Sequence, residues 1–205
     1  MTSDVDLQRM VAESYLSLAD LCAGLRPDGW DTASLCAGWR VREVVAHVTM
    51  PVRYTPEAFQ AELADCGFDF TQLSNRVAER DATLPTDDLV GQLRDPQLHR
   101  WVPPGGGPDG ALNHAVVHGL DITVPLCERR PAFADALRRV LEQLTGGGGH
   151  RHFGTDIAGQ RLEATDLDWS YGSGAPLRGP AGALVLHLCG RRLPAGTLTG
   201  LPAGR

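Results

Sequence analysis

The chain has 205 residues, 42% of them hydrophobic, and 19 Lys and Arg against 25 Asp and Glu give a net charge of −6. That length supports one domain with an ample core, or one domain with a small appendage. No dense Lys/Arg block is present to follow a phosphate backbone, which argues against nucleic-acid partners, and no apolar run reaches the length of a membrane span. Residues 1–10 carry two Asp and one Arg and no basic stretch leading into an apolar one, so a secretory leader is not expected. The five cysteines, Cys22, Cys36, Cys66, Cys127 and Cys189, are scattered, with no C-x-x-C pair. That pattern suits a reduced, cytoplasmic protein better than a disulfide framework.

The elements follow in chain order. Leu7, Val11, Leu18, Leu21 and Leu25 recur near a 3.6-residue period and predict a helix from about Ser3 to Ala23. Ser3 followed by Asp6 resembles a capping box, and Gly24 with Pro27 stops the helix. After a polar turn, Trp39 leads into a second helix, about Val41 to Ala61, with Pro51 and Pro56 expected to kink or restart it. A third helix or helix pair is expected over about Asp69 to Leu98, broken near Pro85. The run Pro103-Pro104-Gly105-Gly106-Gly107-Pro108 breaks structure. A fourth helix is expected from about Gly110 to Val124, and a further one from Ala132 to Leu144.

Gly146–Gly149 is the expected boundary, because four glycines hold no regular element cheaply. Beyond it, Leu162-Glu163-Ala164 and Leu167–Tyr171 alternate like short strands, and Gly179-Pro180 opens an apolar helix, Ala181 to Cys189, closed by Gly190. The expected organisation is a helical domain over residues 1–145 and a small strand-strand-helix domain over 150–205.

The segment Ala111–Ile122 carries the chemistry. On a helix, His114, His118 and Asp121 fall within an arc of roughly 60°. Between Ala111 and Leu126 there is no Lys, Arg or Glu, so the helix is expected to be buried nearly all round. Buried imidazoles and a buried carboxylate need partners. A metal ion satisfies two histidines one turn apart; hydrogen bonds to backbone or to Asp121 are the alternative. The residue after His114 is Ala115, so this is not the H-E-x-x-H motif. His47, in the apolar run Val44–Val48, is the best third ligand, although it lies at the edge of that helix's valine stripe. His99, His150 and His152 read as surface residues and His187 as a packing residue.

Three stretches together resemble one family. They are Ser34-Leu35-Cys36-Ala37-Gly38-Trp39-Arg40-Val41-Arg42-Glu43-Val44-Val45-Ala46-His47, then Val117-His118-Gly119-Leu120-Asp121-Ile122, then Ala164-Thr165-Asp166-Leu167-Asp168-Trp169-Ser170 with Arg178-Gly179-Pro180 and Gly190-Arg191 downstream. They are similar to the mycothiol-dependent maleylpyruvate isomerase-like proteins of actinobacteria, within the DinB-like metalloenzyme superfamily. The resemblance implies a mainly α fold, a DinB-like four-helix bundle followed by a small α+β C-terminal unit. It implies one divalent metal, usually zinc with nickel or another ion as alternatives, held by His47, His114 and His118. In the maleylpyruvate isomerases the pair on the fourth helix is Glu and His; here both are histidine, as in other DinB-like bundles.

Three neutral imidazoles leave a fourth position on zinc for a thiol or a water. The resemblance names the thiol as mycothiol, a cosubstrate, and the expected reaction is S-transfer to, or thiol-assisted isomerisation of, a small electrophile. Asp121 and Arg191 are the residues expected to serve catalysis: Asp121 by orienting an imidazole, Arg191 by binding cosubstrate or substrate. For Arg191 the plainer reading is a cation at a helix C-terminus. Cys36 reads as a packing residue. A metal hydroxide enzyme without thiol, and a bundle that binds a small molecule without turnover, are the alternatives. The oligomeric state stays open between monomer and homodimer.

Overall fold

Helix α1 (Asp4–Ala23) starts where Ser3 caps it: the Ser3 hydroxyl accepts from Asp6 N at 3.2 Å, and the Asp6 carboxylate accepts from Ser3 N at 3.3 Å. This is the expected capping box, with Asp in the usual Glu position. The computed structural model describes residues 3–127 and 133–200. They fall into two units, Met1–Arg130 and Pro131–Arg205.

In the first unit, α2 (Pro27–Trp30) is a single turn and α3 (Val41–Val48) follows it. The expected helix over Val41–Ala61 is in fact three: α3, α4 (Met50–Arg53) and α5 (Pro56–Asp65). Proline explains both breaks. Pro51 and Pro56 each sit in a first turn, where a missing N–H costs nothing, and would not be tolerated further in. The next expected stretch likewise divides into α6 (Phe70–Asp81), α7 (Thr86–Leu93) and α8 (Pro96–Arg100). Helix α9 (Gly107–Thr123) begins three residues earlier than expected, with Pro108 in its first turn. Helices α1, α3, α6 and α9 form the bundle: α1 packs along α9, α9 against α3 and α3 against α6, while α7 leans on both α1 and α3. The core they share includes Tyr15, Leu18, Val44, Val45, Val48, Leu73, Leu112 and Ile122, all 4% exposed or less.

Helix α3 carries the site's first histidine, and its N-terminus is held by Glu43. The Glu43 carboxylate accepts from Arg40 N at 2.8 Å and from the Arg40 guanidinium. Burial works to raise the Glu43 carboxyl pKa, but these bonds outweigh it and hold the group below the usual glutamate range. A depressed carboxyl stabilises the fold above the unfolded-state pKa, and that contribution disappears as pH falls through the lower folded-state value. Glu43→Ala is expected to cost about 1 kcal/mol at pH 7, as capping groups do. Urea denaturation at pH 7 measures it, and a loss under a few tenths would contradict the capping role.

In the second unit, α10 (Ala134–Thr145) packs on α11 (Ala181–Leu188). The expected boundary at Gly146–Gly149 therefore lies inside this unit, and α10 groups with the strands that follow rather than with the bundle. Its expected first residue, Ala132, and residues 201–205 lie outside the described residues. The sheet has three strands, β1 (Gln160–Ala164), β2 (Ser170–Gly172) and β3 (Ala175–Gly179), in the order β2-β1-β3. Strand β2 is antiparallel to β1 and β3 parallel to it, with Leu162 opposite Leu177 and both buried. Two expectations change here. Leu167 and Asp168, expected in the second strand, belong instead to a bend over residues 165–168, because Asp166 turns back so that its carboxylate accepts from Ala181 N at 2.7 Å and caps α11. Strand β3 carries Pro176, which reads as a breaker along the sequence.

No helix among the described residues is long and apolar enough to cross a membrane.

Candidate metal centre

The site begins with a turn. Trp39 N donates to Cys36 O at 3.0 Å, closing a four-residue turn with Gly38 at its third position and φ of +82°. That is the value of a type II turn, where a side chain would be strained, so the motif needs glycine there. Ser34 stitches the loop: its hydroxyl donates to Trp39 O at 2.8 Å and accepts from Cys36 N at 3.1 Å. Leu35 N then donates to Asp121 O at 3.0 Å, tying the loop to α9. Trp39 holds α6 through its indole N–H, which donates to Asn75 Oδ1 at 3.0 Å, and sets its ring 5.0 Å from that of His47.

His47, His114 and His118 converge. One ring nitrogen of each lies within 4.8 Å of the other two. The ring centroids are 4.8 Å apart for His114 and His118, 5.0 Å for His47 and His118, and 5.3 Å for His47 and His114. His47 is buried although it sits at the edge of its valine stripe, because α3 is covered by α6, α7 and α9 and has almost no exposed face. His114 and His118 are half-buried.

Each imidazole of the α9 pair is held from behind. His118 Nδ1 lies 3.0 Å from Asp121 Oδ2, and a carboxylate only accepts, so Nδ1 carries the proton of this bond. His114 Nδ1 lies 3.0 Å from the hydroxyl of Tyr15, a fully buried α1 residue whose phenol burial pushes well above its usual range. Both are the arrangement that fixes a ligating histidine. His47 Nδ1 is buried with no hydrogen-bond partner.

Burial, with a smaller push from His118, lowers the His47 imidazole to about 3. Burial, then the neighbouring His118 and His47, places His114 well below its ordinary value. These two rings are therefore neutral at pH 7, and no proton competes for their lone pairs. The set fits a divalent metal. His47 Nε2 and His114 Nε2 are 3.3 Å apart, and two nitrogens bound at about 2.0–2.1 Å on a tetrahedron are about 3.3–3.4 Å apart.

Two residues here were not expected from the sequence. Cys36, read as packing, has its Sγ 3.0 Å from Asp121 Oδ2 and 3.7 Å from His118 Nδ1. It thus lies behind the histidine cluster, and its place in the Cys-Ala-Gly-Trp turn was the signal available. Tyr15 carried no signal beyond an aromatic on a core helix. Asp121, fully buried, stands against both His118 and Cys36. Arg191 lies in the second unit just past α11, where its N–H donates to Leu186 O at 2.9 Å after Gly190 turns at φ +71°. His150 corrects a surface reading: it is buried, and its Nδ1 lies 2.7 Å from Leu144 O. His152 is exposed as expected, and His99 is half-buried with its ring stacked on Tyr15.

Residues 11–102 match the family described as the mycothiol maleylpyruvate isomerase N-terminal domain. Through those residues the chain is similar to this family. The match contains Tyr15, Cys36 and His47 and stops short of α9. The crystal structure of the mycothiol-dependent maleylpyruvate isomerase is similar to the whole chain, with a TM-score of 0.58 at 16% identity, covering 97% of this chain and 95% of that one. A histidine-to-alanine mutant of that enzyme gives a TM-score of 0.55 at 16% identity, covering 94% and 93%. At that identity the likeness is one of fold, mainly α with a small α+β unit. Among curated proteins none matches the chain significantly by sequence.

Proposed function

We propose that this protein is a metal-dependent enzyme that uses a small thiol, mycothiol, as cosubstrate and either transfers it to a small electrophile or isomerises that electrophile through it. The convergence of His47, His114 and His118 within 4.8 Å carries the reading, and the family of residues 11–102 supports the choice of thiol over water. His47, His114 and His118 are the proposed ligands. A divalent ion held there, zinc or nickel, supplies the Lewis acidity that keeps a thiol deprotonated near neutral pH.

The chain's own residues do the rest. Tyr15 accepts the Nδ1 proton of His114, and Asp121 that of His118, so both rings present Nε2 and cannot rotate away. The Asp121 carboxylate also makes His118 a stronger donor. Cys36, whose S–H donates to Asp121, fixes that carboxylate and serves as a positioning group, not a nucleophile. Trp39 and Trp101 flank His47 and His114 with rings at 5.0 and 5.3 Å, which limits water around the imidazoles. Arg191 is proposed to bind cosubstrate or substrate through its guanidinium donors.

The test is thiol dependence. Zinc-loaded protein, given a small model electrophile, is expected to turn it over at least about tenfold faster with mycothiol than without. Equal rates with and without the thiol would leave a metal hydroxide reaction as the better reading.

A further inference from the structure

A cavity of about 350 Å³ lies in the first unit. Its walls include Met50, Tyr54, Phe59, Trp101 and Val102, with Gln60 and Gln97 at its rim. The volume falls in the range of small-molecule pockets. Trp101 joins it to the site, because the same indole lines the cavity and packs on the His114 ring at 5.3 Å. Met50 joins it a second way, three residues beyond His47.

None of the described residues lining this cavity carries a charge. Arg100, next to Trp101, lines a different pocket with Asp4 and His99, and the two cations that flank the Tyr54 ring, Arg53 and Arg80, are already committed. Arg53 Nε donates to Asp81 at 2.9 Å, and its terminal nitrogens donate to Thr49, Gln92 and Ala46 O. Arg80 pairs with Glu62 at 2.9 Å and with Asp81 at 3.1 Å. The Tyr54 hydroxyl donates to Asp81 at 2.9 Å, and Gln97 Nε2 donates to Pro51 O at 2.7 Å. A dicarboxylate such as maleylpyruvate placed here would lose its hydration without gaining a cation, which is costly. An uncharged aromatic or aliphatic body loses nothing polar and gains contact with the Phe59 and Trp101 rings.

We propose that this cavity is the acceptor subsite and that it selects an uncharged, largely apolar electrophile over an anionic one. The assignment of the electrophile's place rests on the thiol-transfer reading; the cavity's preference for a neutral ligand does not. Phe59 and Trp101 hold the ligand's apolar body, and Gln60, exposed on α5, sets the charge of the rim.

The experiment is therefore one of binding, without thiol or turnover, so that failure of the transfer reaction and failure of this proposal are told apart. The as-purified full chain is titrated with methyl 3-nitrobenzoate and with 3-nitrobenzoate, which differ by one charge, using calorimetry or ligand-observed NMR. The ester is expected to bind at least about tenfold more tightly than the acid. Phe59→Ala should weaken the ester about tenfold or more. Gln60→Arg, at an exposed position, should leave the ester within a few-fold and strengthen the acid about tenfold. Equal binding of acid and ester, or no saturable ester binding up to its solubility, overturns the proposal. So does a Gln60→Arg chain whose acid affinity does not move. That arm holds even if Phe59→Ala destabilises the small cluster of Met50, Leu73 and Val77 on which Phe59 packs.

Discussion

His114→Ala is expected to reduce metal content from about one equivalent per chain to under about a tenth, measured by plasma mass spectrometry on protein purified without a histidine tag. The argument is geometric. His114 Nε2 is 3.3 Å from His47 Nε2, and His114 is one helical turn from His118. Without it, two imidazoles remain, one of which, His47, has no group behind it to hold its ring. Loss of an outer partner alone costs about 10–100-fold in affinity, and loss of a ligand costs more. His152→Ala, at an exposed position in the second unit, should keep full metal content. His114→Glu should restore much of it, since a carboxylate stands at this position in the maleylpyruvate isomerases that the motifs resemble. Zinc should raise the melting temperature of the wild type and not that of His114→Ala, because only a ligand bound to the native state stabilises it. Full metal in His114→Ala would remove the centre from the protein. Metal lost from His114→Ala and also from His114→Glu would instead point to a general collapse of α9.

Asp81→Ala is expected to destabilise the fold by about 3 kcal/mol, toward the range measured when one partner of a buried ion pair is removed. The Asp81 side chain is 10% exposed and that of Arg53 14%. Asp81 gathers Arg53, Arg80 and the Tyr54 hydroxyl at 2.9–3.1 Å. Removing it leaves the Arg53 guanidinium with only neutral partners in a nearly dry place. Urea unfolding reads the loss as a lower midpoint at unchanged slope. A loss under 1 kcal/mol would mean that the network is solvated. The same network keeps Arg53 and Arg80 from the apolar cavity, so this variant is also expected to strengthen binding of an anion there.

The resemblance in the Cys36–His47 stretch becomes physical in the turn it builds. Gly38 supplies the positive φ, Ser34 closes the loop, Leu35 docks on α9, and Cys36 arrives at Asp121 as a result. A cysteine that reads as packing along the sequence is thus a hydrogen-bond donor to a buried carboxylate. The departure that the resemblance implies, histidine for glutamate at 114, would make the proposed ligand set wholly imidazole. A neutral ligand set leaves more positive charge on a bound ion, and that favours thiolate formation.

What the sequence determined by itself was local. The His114, His118 and Asp121 stripe follows from 3.6 residues per turn, and the absence of Lys, Arg and Glu around it from the burial of α9. Ser3 with Asp6 marked the first helix, and prolines marked most of the breaks, because these effects act within one or two turns of chain. The strands were less legible: Pro176 disguised β3, which is specified by its register with β1 and by Leu177 meeting Leu162. Tertiary structure alone decided what stands behind His114 and Asp121. Tyr15 reaches His114 across 99 positions and Cys36 reaches Asp121 across 85, and neither meeting leaves a periodic trace. His47 sat at the edge of its own stripe and became buried only because α6, α7 and α9 cover α3 from several sides. A helix's sequence specifies which face is apolar; how many neighbours cover its edges is settled when the helices pack.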